Sequence, residues 1–269
     1  MRRIAAVQGD IEQPRIRFSY GDRRLIQPAL HGIGPQCHPR QAVELRRAVG
    51  RRIADLPCHV RKGSFIRQVI VNPSSHLFDG STLGHEWMYL RNPLMENYTF
   101  TKKGIRMHGT SANLNSWTTP PTGIFRRQQH IQFTSGTCLE LEKGKQGDEA
   151  GLTLYREFHS HSDLFVRQES DKQQAVVLRY QLGELKHIEK VIPIPSGKVK
   201  LQITGEADNY IFSYAVGDNP LVEIDKMNTK YLSTETVGGF TGMVIGMYAT
   251  SPTDSKNTAT FEYFDYEGK

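Results

Sequence analysis

The chain has 269 residues, of which 38% are hydrophobic, so it has room for one large domain or two small ones with an ordinary buried core. No run approaches the roughly 18 apolar residues that a membrane-spanning helix needs, and the apolar start of the chain stops at Gln8-Gly9-Asp10, too early for a secretory signal. The sequence therefore predicts a globular protein without a membrane span or an export signal, and it leaves the compartment open.

The formal net charge of +6 comes from the first quarter of the chain. Residues 1–76 contain 14 lysines and arginines against 5 acidic residues, whereas residues 77–269 contain 20 against 23. Arginine outnumbers lysine by 13 to 1 in the first segment, and 22 of the 25 aromatic residues lie in the second. We therefore place a domain boundary near His76, between an arginine-rich segment and a domain able to bury a dense core.

The arginine-rich segment has at most one short helix, because Leu45, Val49, Ile53 and Leu56 fall at helical spacing among arginines. Charge runs usually lie in water, so the favoured interpretation is a solvated or poorly ordered segment. Clustered arginines also attract phosphates, which makes a nucleic-acid or membrane-surface arm the weaker alternative. A third interpretation is a disturbed reading frame or a misplaced start, which resequencing the locus would reveal.

Residues 77–269 have the pattern of an all-β domain. Apolar side chains alternate with more polar ones in three runs: Val176, Leu178, Tyr180; Val199, Leu201, Ile203; and Tyr210, Phe212, Tyr214. Turn residues such as Pro120-Pro121 and Pro195-Ser196-Gly197 separate these and other short runs. The pattern predicts roughly a dozen strands in two packed antiparallel sheets.

Five consecutive polar residues, Arg126-Arg127-Gln128-Gln129-His130, interrupt this pattern. In a strand, some of them must point into the sheet, and a buried arginine or glutamine needs a hydrogen-bonding partner. Arg126, Arg127, Gln128 and His130 are therefore candidates for a polar groove or a domain-docking surface. The other interpretation is a buried hydrogen-bond network that stabilises the sandwich.

Metal and cofactor sites are not predicted. The cysteines Cys37, Cys58 and Cys138 have no zinc-site spacing, and their odd number argues against a complete disulfide framework. His159 and His161 would share one face of a strand, but two histidines without a third ligand do not make a metal site. We interpret them as part of a polar outer face.

The nearest approach to a catalytic carboxylate pair is Glu262, Asp265 and Glu267. Alternation along a strand would put Asp265 and Glu267 on one face and Glu262 on the other. A glycosidase needs two carboxylates on either side of the scissile bond, about 5 to 9.5 Å apart. We interpret these three residues as a solvated strand end and assign no catalytic residue.

Several motifs follow one another over about 190 residues and together resemble the concanavalin A-like sandwich that closes many β-xylosidases and α-L-arabinofuranosidases of glycoside hydrolase family 43. The motifs are Leu83-Gly84-His85-Glu86-Trp87, Leu90-Arg91-Asn92-Pro93, the run from Arg126 to His130, Ala150-Gly151-Leu152, Gly238-Gly239-Phe240-Thr241-Gly242 and the closing stretch from Ala259 to Tyr266. The resemblance implies a two-sheet jelly-roll fold over residues 77–269.

The resemblance also implies a function. In the family, three carboxylates on a five-bladed propeller that precedes the sandwich carry out catalysis, and 76 residues are too few for such a propeller. The expected role is therefore an accessory, non-catalytic module that packs on a propeller absent from this chain and shapes its substrate mouth. The alternative is a free-standing, lectin-like module that binds xylo- or arabino-oligosaccharides.

In the family, a loop of the sandwich sometimes brings an aromatic residue to the propeller's active site. If the loop before Ala150 is the equivalent, it has no aromatic residue here, since residues 142–149 read Glu-Lys-Gly-Lys-Gln-Gly-Asp-Glu. Trp87, Trp117 and Tyr155 are candidates for stacking on sugar rings, although large aromatic residues in a strand-rich domain more often belong to the core.

Overall fold

The computed structural model describes residues 83–142, 144–253 and 257–269, and the backbone of residues 74–77. The arginine-rich segment up to residue 73, with its expected short helix and with Cys37 and Cys58, lies outside the described residues. No helix in the described ranges is long and apolar enough to cross a bilayer.

Fifteen strands and three single helical turns make up the described part of the chain. The strands are β1 (Ser74–Leu77), β2 (Trp87–Met88), β3 (Tyr98–Thr101), β4 (Gly104–His108), β5 (Thr122–Arg127), β6 (Phe133–Leu141), β7 (Glu149–Glu157), β8 (Ser160–Ser170), β9 (Gln173–Leu182), β10 (Leu185–Ile194), β11 (Lys198–Gly205), β12 (Asn209–Val216), β13 (Val222–Asn228), β14 (Val244–Thr250) and β15 (Thr258–Gly268). The helical turns are the 3-10 helices η1 (Met95–Asn97) and η2 (Thr229–Leu232) and the α-helix α1 (Thr234–Val237). The all-β prediction is confirmed, and the strands outnumber the expected dozen because pieces as short as β2 and β3 leave no alternating pattern.

The strands form two antiparallel sheets. One has eight strands in the order β13-β12-β11-β6-β15-β4-β3, with β1 beside β15. The other has seven strands in the order β10-β9-β8-β7-β14-β5-β2. This two-sheet architecture is that of the predicted concanavalin A-like sandwich.

The core lies between the two sheets and contains the residues that the alternation singled out. Val199, Leu201 and Ile203 of β11 are almost completely buried, while the residues between them are partly exposed. Val176 and Leu178 of β9, in the other sheet, belong to the same core cluster. The hydrophobic effect of burying these side chains is the main force that holds the sheets together.

The outer face of the seven-stranded sheet carries a second apolar cluster, which includes Phe125, Phe165, Val177 and Tyr248. Residues 109–121, which link β4 to β5, contribute Leu114 to this cluster. Both apolar faces of the sheet are therefore buried, so the strands of this sheet are more continuously hydrophobic than alternation would require.

The register of the seven-stranded sheet defines two ends of the sandwich. Val244, the first residue of β14, pairs with Arg127 at the end of β5 and with Tyr155 near the end of β7. We call this end the Arg127 end. The opposite one, where β5 begins, is the Thr122 end. Residues 128–132 link β5 to β6 at the Arg127 end, and residues 142–148 link β6 to β7 at the Thr122 end.

Candidate domain-docking surface

The run from Arg126 to His130 does not stay in one strand. β5 ends at Arg127, and Gln128, Gln129 and His130 lie in the link to β6. The prediction of five strand residues was wrong, because the chain crosses from one sheet to the other immediately after Arg127. This crossover requires hydrogen bonds that a sheet ladder does not supply.

Tyr266 of β15 supplies most of those hydrogen bonds. Its hydroxyl accepts from the backbone N–H groups of Gln129 and His130, at 2.9 and 3.1 Å, and lies 3.2 Å from Nδ1 of His130. Gln128 is held by its own contacts, since it donates through Nε2 to the carbonyl of His130 and accepts from the hydroxyl of Tyr210. Gln128 and His130 therefore stabilise the crossover between the sheets.

The two arginines have different environments. Arg126 is buried, and its guanidinium carbon lies 4.6 Å from the centre of the Tyr266 ring, a cation–π distance. Burial lowers the pKa of Arg126, while the proximity of Tyr266 and Glu86 raises it. Arg127 is exposed. Of the two arginines, Arg127 is therefore the one that is accessible to a partner.

A small cleft opens beside both arginines. Its volume is about 230 Å³. It is lined by His85, Glu86, Trp87, Met88, Arg126, Arg127 and Gln129. This cleft joins the segment before β2 to the arginine run, two motifs that lie 40 residues apart in the sequence.

Phe240 projects from the loop before β14 and is completely exposed. Its loop begins with two glycines of positive φ, Gly238 at 80° and Gly239 at 72°, a conformation that other residues rarely adopt. A guanidinium nitrogen of Arg156 donates to the carbonyls of both glycines, at 3.1 and 3.3 Å. The base of the loop is therefore fixed while the phenyl ring stands in solvent.

The loop of Phe240 passes beside Arg127. A Cβ added to Gly242 would lie 3.9 Å from Nη1 of Arg127, and the backbone N–H of Gln128 donates to the carbonyl of Met243 at 3.0 Å. The loop 142–149, which the sequence raised as the equivalent of an aromatic loop, lies at the Thr122 end. The sequence reasoning did not single out Phe240 as an exposed side chain, although an aromatic residue among three glycines was a usable signal.

The three sugar-stacking candidates also differ in exposure. Trp87 is 8% exposed and packs edge-on against Phe264 in the core, and Tyr155 is 7% exposed. Trp117 is 69% exposed. Of these three, only Trp117 presents a ring face to solvent.

The most exposed large apolar side chains of the described residues gather at the Arg127 end. Phe240, Leu185, Ile131 and Trp117 are each at least 69% exposed. Leu185 begins β10 opposite Leu182, Ile131 lies in the β5–β6 link, and Trp117 packs on Phe158 just after β7. Leu185 lies on the edge strand β10 and Ile131 follows β5 near the opposite edge, so the four side chains share one end of the sandwich and are spread across it.

The outer face of the seven-stranded sheet contains a buried charged network that the sequence reasoning did not find. Arg179 donates to Asp163 at 2.9 Å and to Glu149 at 3.0 Å, and its guanidinium lies 4.4 Å from the centre of the Phe165 ring. Thr153 donates to Asp163 at 2.7 Å. These residues lie on three neighbouring strands, β7, β8 and β9. The spacing along one strand does not reveal that they meet, because this depends on the register between the strands.

Asp163 is the centre of this network and is completely buried. Burial by itself would raise its pKa, but His161 and Arg179, with hydrogen bonds from His161 and Thr153, hold the pKa of Asp163 well below its ordinary value. The charges of Asp163 and Glu149 raise the pKa of Arg179 against its own burial. The charged side chains of the network therefore remain ionised, and they give one another the hydrogen bonds that water would otherwise supply.

His159 and His161 do not share a strand face, contrary to the prediction. His159 lies in the turn between β7 and β8, with Nδ1 3.3 Å from Glu184, whereas His161 is buried with Nδ1 2.8 Å from Asp163. The prediction was wrong because β8 begins only at Ser160. Within the described ranges, no three histidine, cysteine or acidic side chains come together to hold a metal ion, and Cys138 is a buried free thiol.

Glu262 of β15 is placed differently from the prediction. The pairing of β15 with β6 shifts between Phe261 and Tyr263, a β-bulge that contains Glu262. The inward-facing residues are Phe261 and Phe264, so Glu262 does not point opposite Asp265 as simple alternation implied. Glu262 forms an ion pair with Lys198 on the outer face of the eight-stranded sheet.

A family model described as the β-xylosidase C-terminal concanavalin A-like domain matches residues 75–267. The chain belongs to this family. The non-reducing end α-L-arabinofuranosidase BoGH43B of Bacteroides ovatus is 31% identical over 193 residues, covering 70% of this chain and 36% of the relative. A putative β-xylosidase of Escherichia coli K12 is 27% identical over 202 residues, covering 71% of this chain and 37% of the relative. The resemblance seen in the sequence is confirmed.

Solved structures agree in fold. The structure titled Bacteroides ovatus xyloglucan PUL GH43B matches with a TM-score of 0.65 at 28% identity, over 74% of this chain and 40% of that chain. A xylan β-1,4-xylosidase from Bacillus halodurans matches with a TM-score of 0.67 at 23% identity, over 73% and 39%. The chain thus spans between a third and two fifths of the length of these relatives, and the matched part is the sandwich domain.

The glycine of the Ala-Gly-Leu motif has a structural role in this family member. A Cβ added to Gly151 would lie less than 3.0 Å from the carbonyl oxygen of Leu164 and from the Cα of Phe165 on β8. Glycine therefore lets two strands of the buried outer face approach closely. The motif positions the sandwich's own strands and does not contribute to the surface at the Arg127 end.

Proposed function

We propose that residues 74–269 are an accessory domain that packs through its Arg127 end on a family 43 catalytic propeller and shapes the mouth of its active site. The exposure of four large apolar side chains at this end, Phe240, Leu185, Ile131 and Trp117, carries the proposal. Side chains of this kind gain free energy when a partner removes them from water. Arg127 and the other polar groups beside them suit the rim of such an interface.

The path of the chain supports the same assignment. Ser74, the first residue of β1, pairs with Tyr266, whose hydroxyl accepts hydrogen bonds from Gln129 and His130. The polypeptide therefore joins the sandwich at the end that carries the arginine run. A domain connected through this junction meets the Arg127 end without a long linker.

Phe240 is the residue that we expect to reach furthest toward the propeller. It is completely exposed, yet Arg156 fixes the carbonyls of Gly238 and Gly239 at the base of its loop. A fixed loop that presents an aromatic ring loses little conformational entropy on docking. This is the arrangement that an aromatic wall at a substrate mouth requires, and some members of the family bring an aromatic residue to that mouth on a loop of the sandwich.

The lectin-like alternative draws support from Trp117 alone. A sugar groove across the outer face of the seven-stranded sheet is not favoured, because Leu114 and the cluster around Phe125 and Tyr248 fill that face. The charged groups there, Asp163 and Arg179, already bind each other. An accessory domain therefore accounts for more of the structure than a free-standing binding module.

A chimeric enzyme tests the proposal. Residues 74–269 replace the matching sandwich of the Bacteroides ovatus arabinofuranosidase, and kcat/KM is measured on an aryl arabinofuranoside. We expect Phe240→Ala to lower kcat/KM by about tenfold, the effect of removing an interface anchor. Leu221→Ala is the matched control, since Leu221 is 45% exposed and precedes β13 at the Thr122 end. Equal kcat/KM values for the two variants would contradict the proposal.

The accessory role also predicts that the chain by itself does not hydrolyse aryl xylosides or arabinofuranosides. Among the carboxylates of β15, Glu262 forms an ion pair with Lys198. Turnover by the pure chain that disappears in Asp265→Asn or Glu267→Gln would show that the strand is catalytic after all.

A further inference from the structure

β10 is the outermost strand of the seven-stranded sheet and has one free edge. It spans Leu185–Ile194 and, among the described strands, pairs only with β9. Most of its side chains are exposed, and two of these are large and apolar: Ile188 is 43% exposed and Val191 is 46% exposed. A long free edge presents backbone N–H and C=O groups to another strand. This edge is therefore able to accept a further strand.

The two exposed apolar side chains of β10 lie on the outer face of the sheet. Residues directly opposite each other on paired strands share a face. Val191 pairs with Val177, a member of the outer apolar cluster. Ile188 pairs with Arg179, which belongs to the charged network on the same outer face. Both apolar side chains therefore border the same side of the free edge.

A β-bulge interrupts the alternation of β10 between these two residues. The register with β9 shifts between Ile188 and Lys190, so Glu189 is the extra residue. Lys190 pairs with Leu178 of the core between the sheets. Lys190 therefore lies on the inner face.

Glu189 lies on the inner face as well. Its Oε2 is 3.0 Å from Nε2 of His187. His187 pairs with Tyr180, whose ring packs near Phe212 of the other sheet. Residues 188–191 thus read apolar, acidic, basic, apolar, with the apolar side chains on the outer face and the charged ones on the inner face.

Two copies of this stretch are complementary when they run antiparallel about a two-fold axis. With the axis between Glu189 and Lys190, each Glu189 lies opposite the Lys190 of the second copy. Each Ile188 then lies opposite the Val191 of the second copy. Opposite charges and apolar side chains that face each other stabilise antiparallel strands. The bulges of the two copies also coincide, so outer-face residues meet outer-face residues throughout residues 186–193.

The neighbouring registers lack this complementarity. A shift by one position puts the axis through Glu189 or through Lys190, and two like charges then lie directly opposite each other. Lysine and proline on an edge strand usually discourage pairing. In the complementary register, however, each Lys190 faces a glutamate, and Pro193 lies at the end of the paired stretch. Neither residue therefore prevents this pairing.

We propose that two copies of this chain pair through β10 in this register and join their seven-stranded sheets into one continuous antiparallel sheet. The interface is isologous, since both copies contribute the same residues. It uses residues 186–193 along the side of the sandwich, whereas the proposed docking of a propeller uses the loops at the Arg127 end. Pairing and docking are therefore tested separately.

Sedimentation velocity of the full chain tests the pairing from about 1 to about 200 µM, the range in which a micromolar complex forms. We expect a monomer–dimer equilibrium with a micromolar dissociation constant, because one strand from each copy makes a small interface. Hydrogen exchange at the two ends of this range locates the contact. The backbone amides of residues 186–193 should become protected as the concentration rises, and those of β13, the edge strand of the other sheet, should not.

Reversed charges test the register. We expect Lys190→Glu to weaken the dimer at least about tenfold, because two pairs of like charges then face each other. Glu189→Lys should have the same effect. The double variant Glu189→Lys/Lys190→Glu again places opposite charges face to face, so its dissociation constant should return to within about threefold of the unchanged chain. Such a recovery requires that the two positions lie opposite each other across the interface.

An apolar variant tests the outer side of the same edge. Ile188→Ser should weaken the dimer about tenfold, since each copy loses its apolar contact with Val191 of the other. Leu94→Ser is the matched control. Leu94 is 47% exposed and precedes β3, which contacts β5 at the opposite edge of the sandwich. This variant should associate as the unchanged chain does.

Three results would overturn the pairing. The first is a chain that stays monomeric over the whole concentration range. The second is a dimer that Lys190→Glu does not weaken, or that the double variant does not restore while its β-sheet circular dichroism is intact. The third is a dimer lost in Phe240→Ala and kept in Ile188→Ser, which would place self-association at the Arg127 end. If a variant loses its circular dichroism, hydrogen exchange of the unchanged chain decides: protection outside residues 186–193 alone refutes the pairing.

Discussion

The outer face of the seven-stranded sheet and the Arg127 end of the sandwich differ in how far their polar and aromatic residues are buried. On the outer face, Asp163, Arg179 and Glu149 satisfy one another, and Phe165 is completely buried beneath the guanidinium. At the Arg127 end, Phe240 and Trp117 stand in solvent on loops with fixed bases. The difference separates residues that stabilise the domain from residues available for a partner.

The largest effect on stability is expected from Arg179→Met. The change leaves Asp163 and Glu149 without their cation in a buried site, which costs about 3–5 kcal/mol for a broken buried ion pair. Urea denaturation measures the free energy of unfolding. The matched control is Arg127→Met at the exposed end, where a change within about 0.5 kcal/mol is expected. Equal effects of the two changes would remove the distinction between the regions.

The next largest effect is expected from Gly151→Ala. The added methyl group would collide with the backbone of Leu164 and Phe165, and overpacking of this kind costs about 1–3 kcal/mol. Gly136→Ala on β6 is the control, because its Cβ would meet the carbonyl of Leu201 at an ordinary 3.4 Å. Thermal unfolding followed by circular dichroism compares the two. A Gly151→Ala protein as stable as Gly136→Ala would show that the outer face is loosely packed.

Acid should weaken the outer face selectively. The pKa of Asp163 is lower in the folded protein than the ordinary value of 3.8, so its ionised form stabilises the fold above that pH. This contribution declines as the pH falls below about 4 and is lost once the pH passes below the folded pKa. We therefore expect the stability difference between the unchanged chain and Asp163→Asn to shrink between pH 5 and pH 3. A difference independent of pH would mean that Asp163 is not ionised in the folded protein.

The smallest effect on stability is expected from Phe240→Ala. A completely exposed side chain has no packing to lose, so the free energy of unfolding should change by no more than about 0.5 kcal/mol. The same urea denaturation measures it. A larger loss would place Phe240 among the residues that hold the sandwich together, and its effect in the chimera would then have a structural cause.

Local pattern predicted a good part of this architecture. Alternating apolar residues marked β9, β11 and β12 as strands with one face in the core, and the structure buries those residues except Tyr180 and Tyr214, which are partly buried against the core. The order of motifs from Leu83 to Tyr266 predicted the family and its two-sheet fold, because each motif is short and local. The β-bulge at Glu262 was not predicted, because it depends on how β15 pairs with β6.

The proposed docking surface was harder to predict. Arg127 was one of five polar residues in a row, but the sequence did not say which of them face solvent, because this depends on β5 ending at Arg127 and on Tyr266 binding the backbone that follows. The loop of residues 142–149, which the sequence raised as the equivalent of an aromatic loop, lies at the Thr122 end, whereas Phe240 lies on a loop at the Arg127 end. The sequence did not show this separation, because strand direction and sheet order set which loops share an end of a sandwich.

The sequence by itself determined the all-β class, the family and the chemical division between an arginine-rich segment and an aromatic-rich domain, because periodicity, motif order and composition are properties of neighbouring residues. Only the tertiary structure decided that Asp163, Arg179 and Glu149 meet, and that Arg127, Trp117 and Phe240 stand at one end. These groupings join residues up to 123 positions apart, and only the register of the sheets brings such residues together.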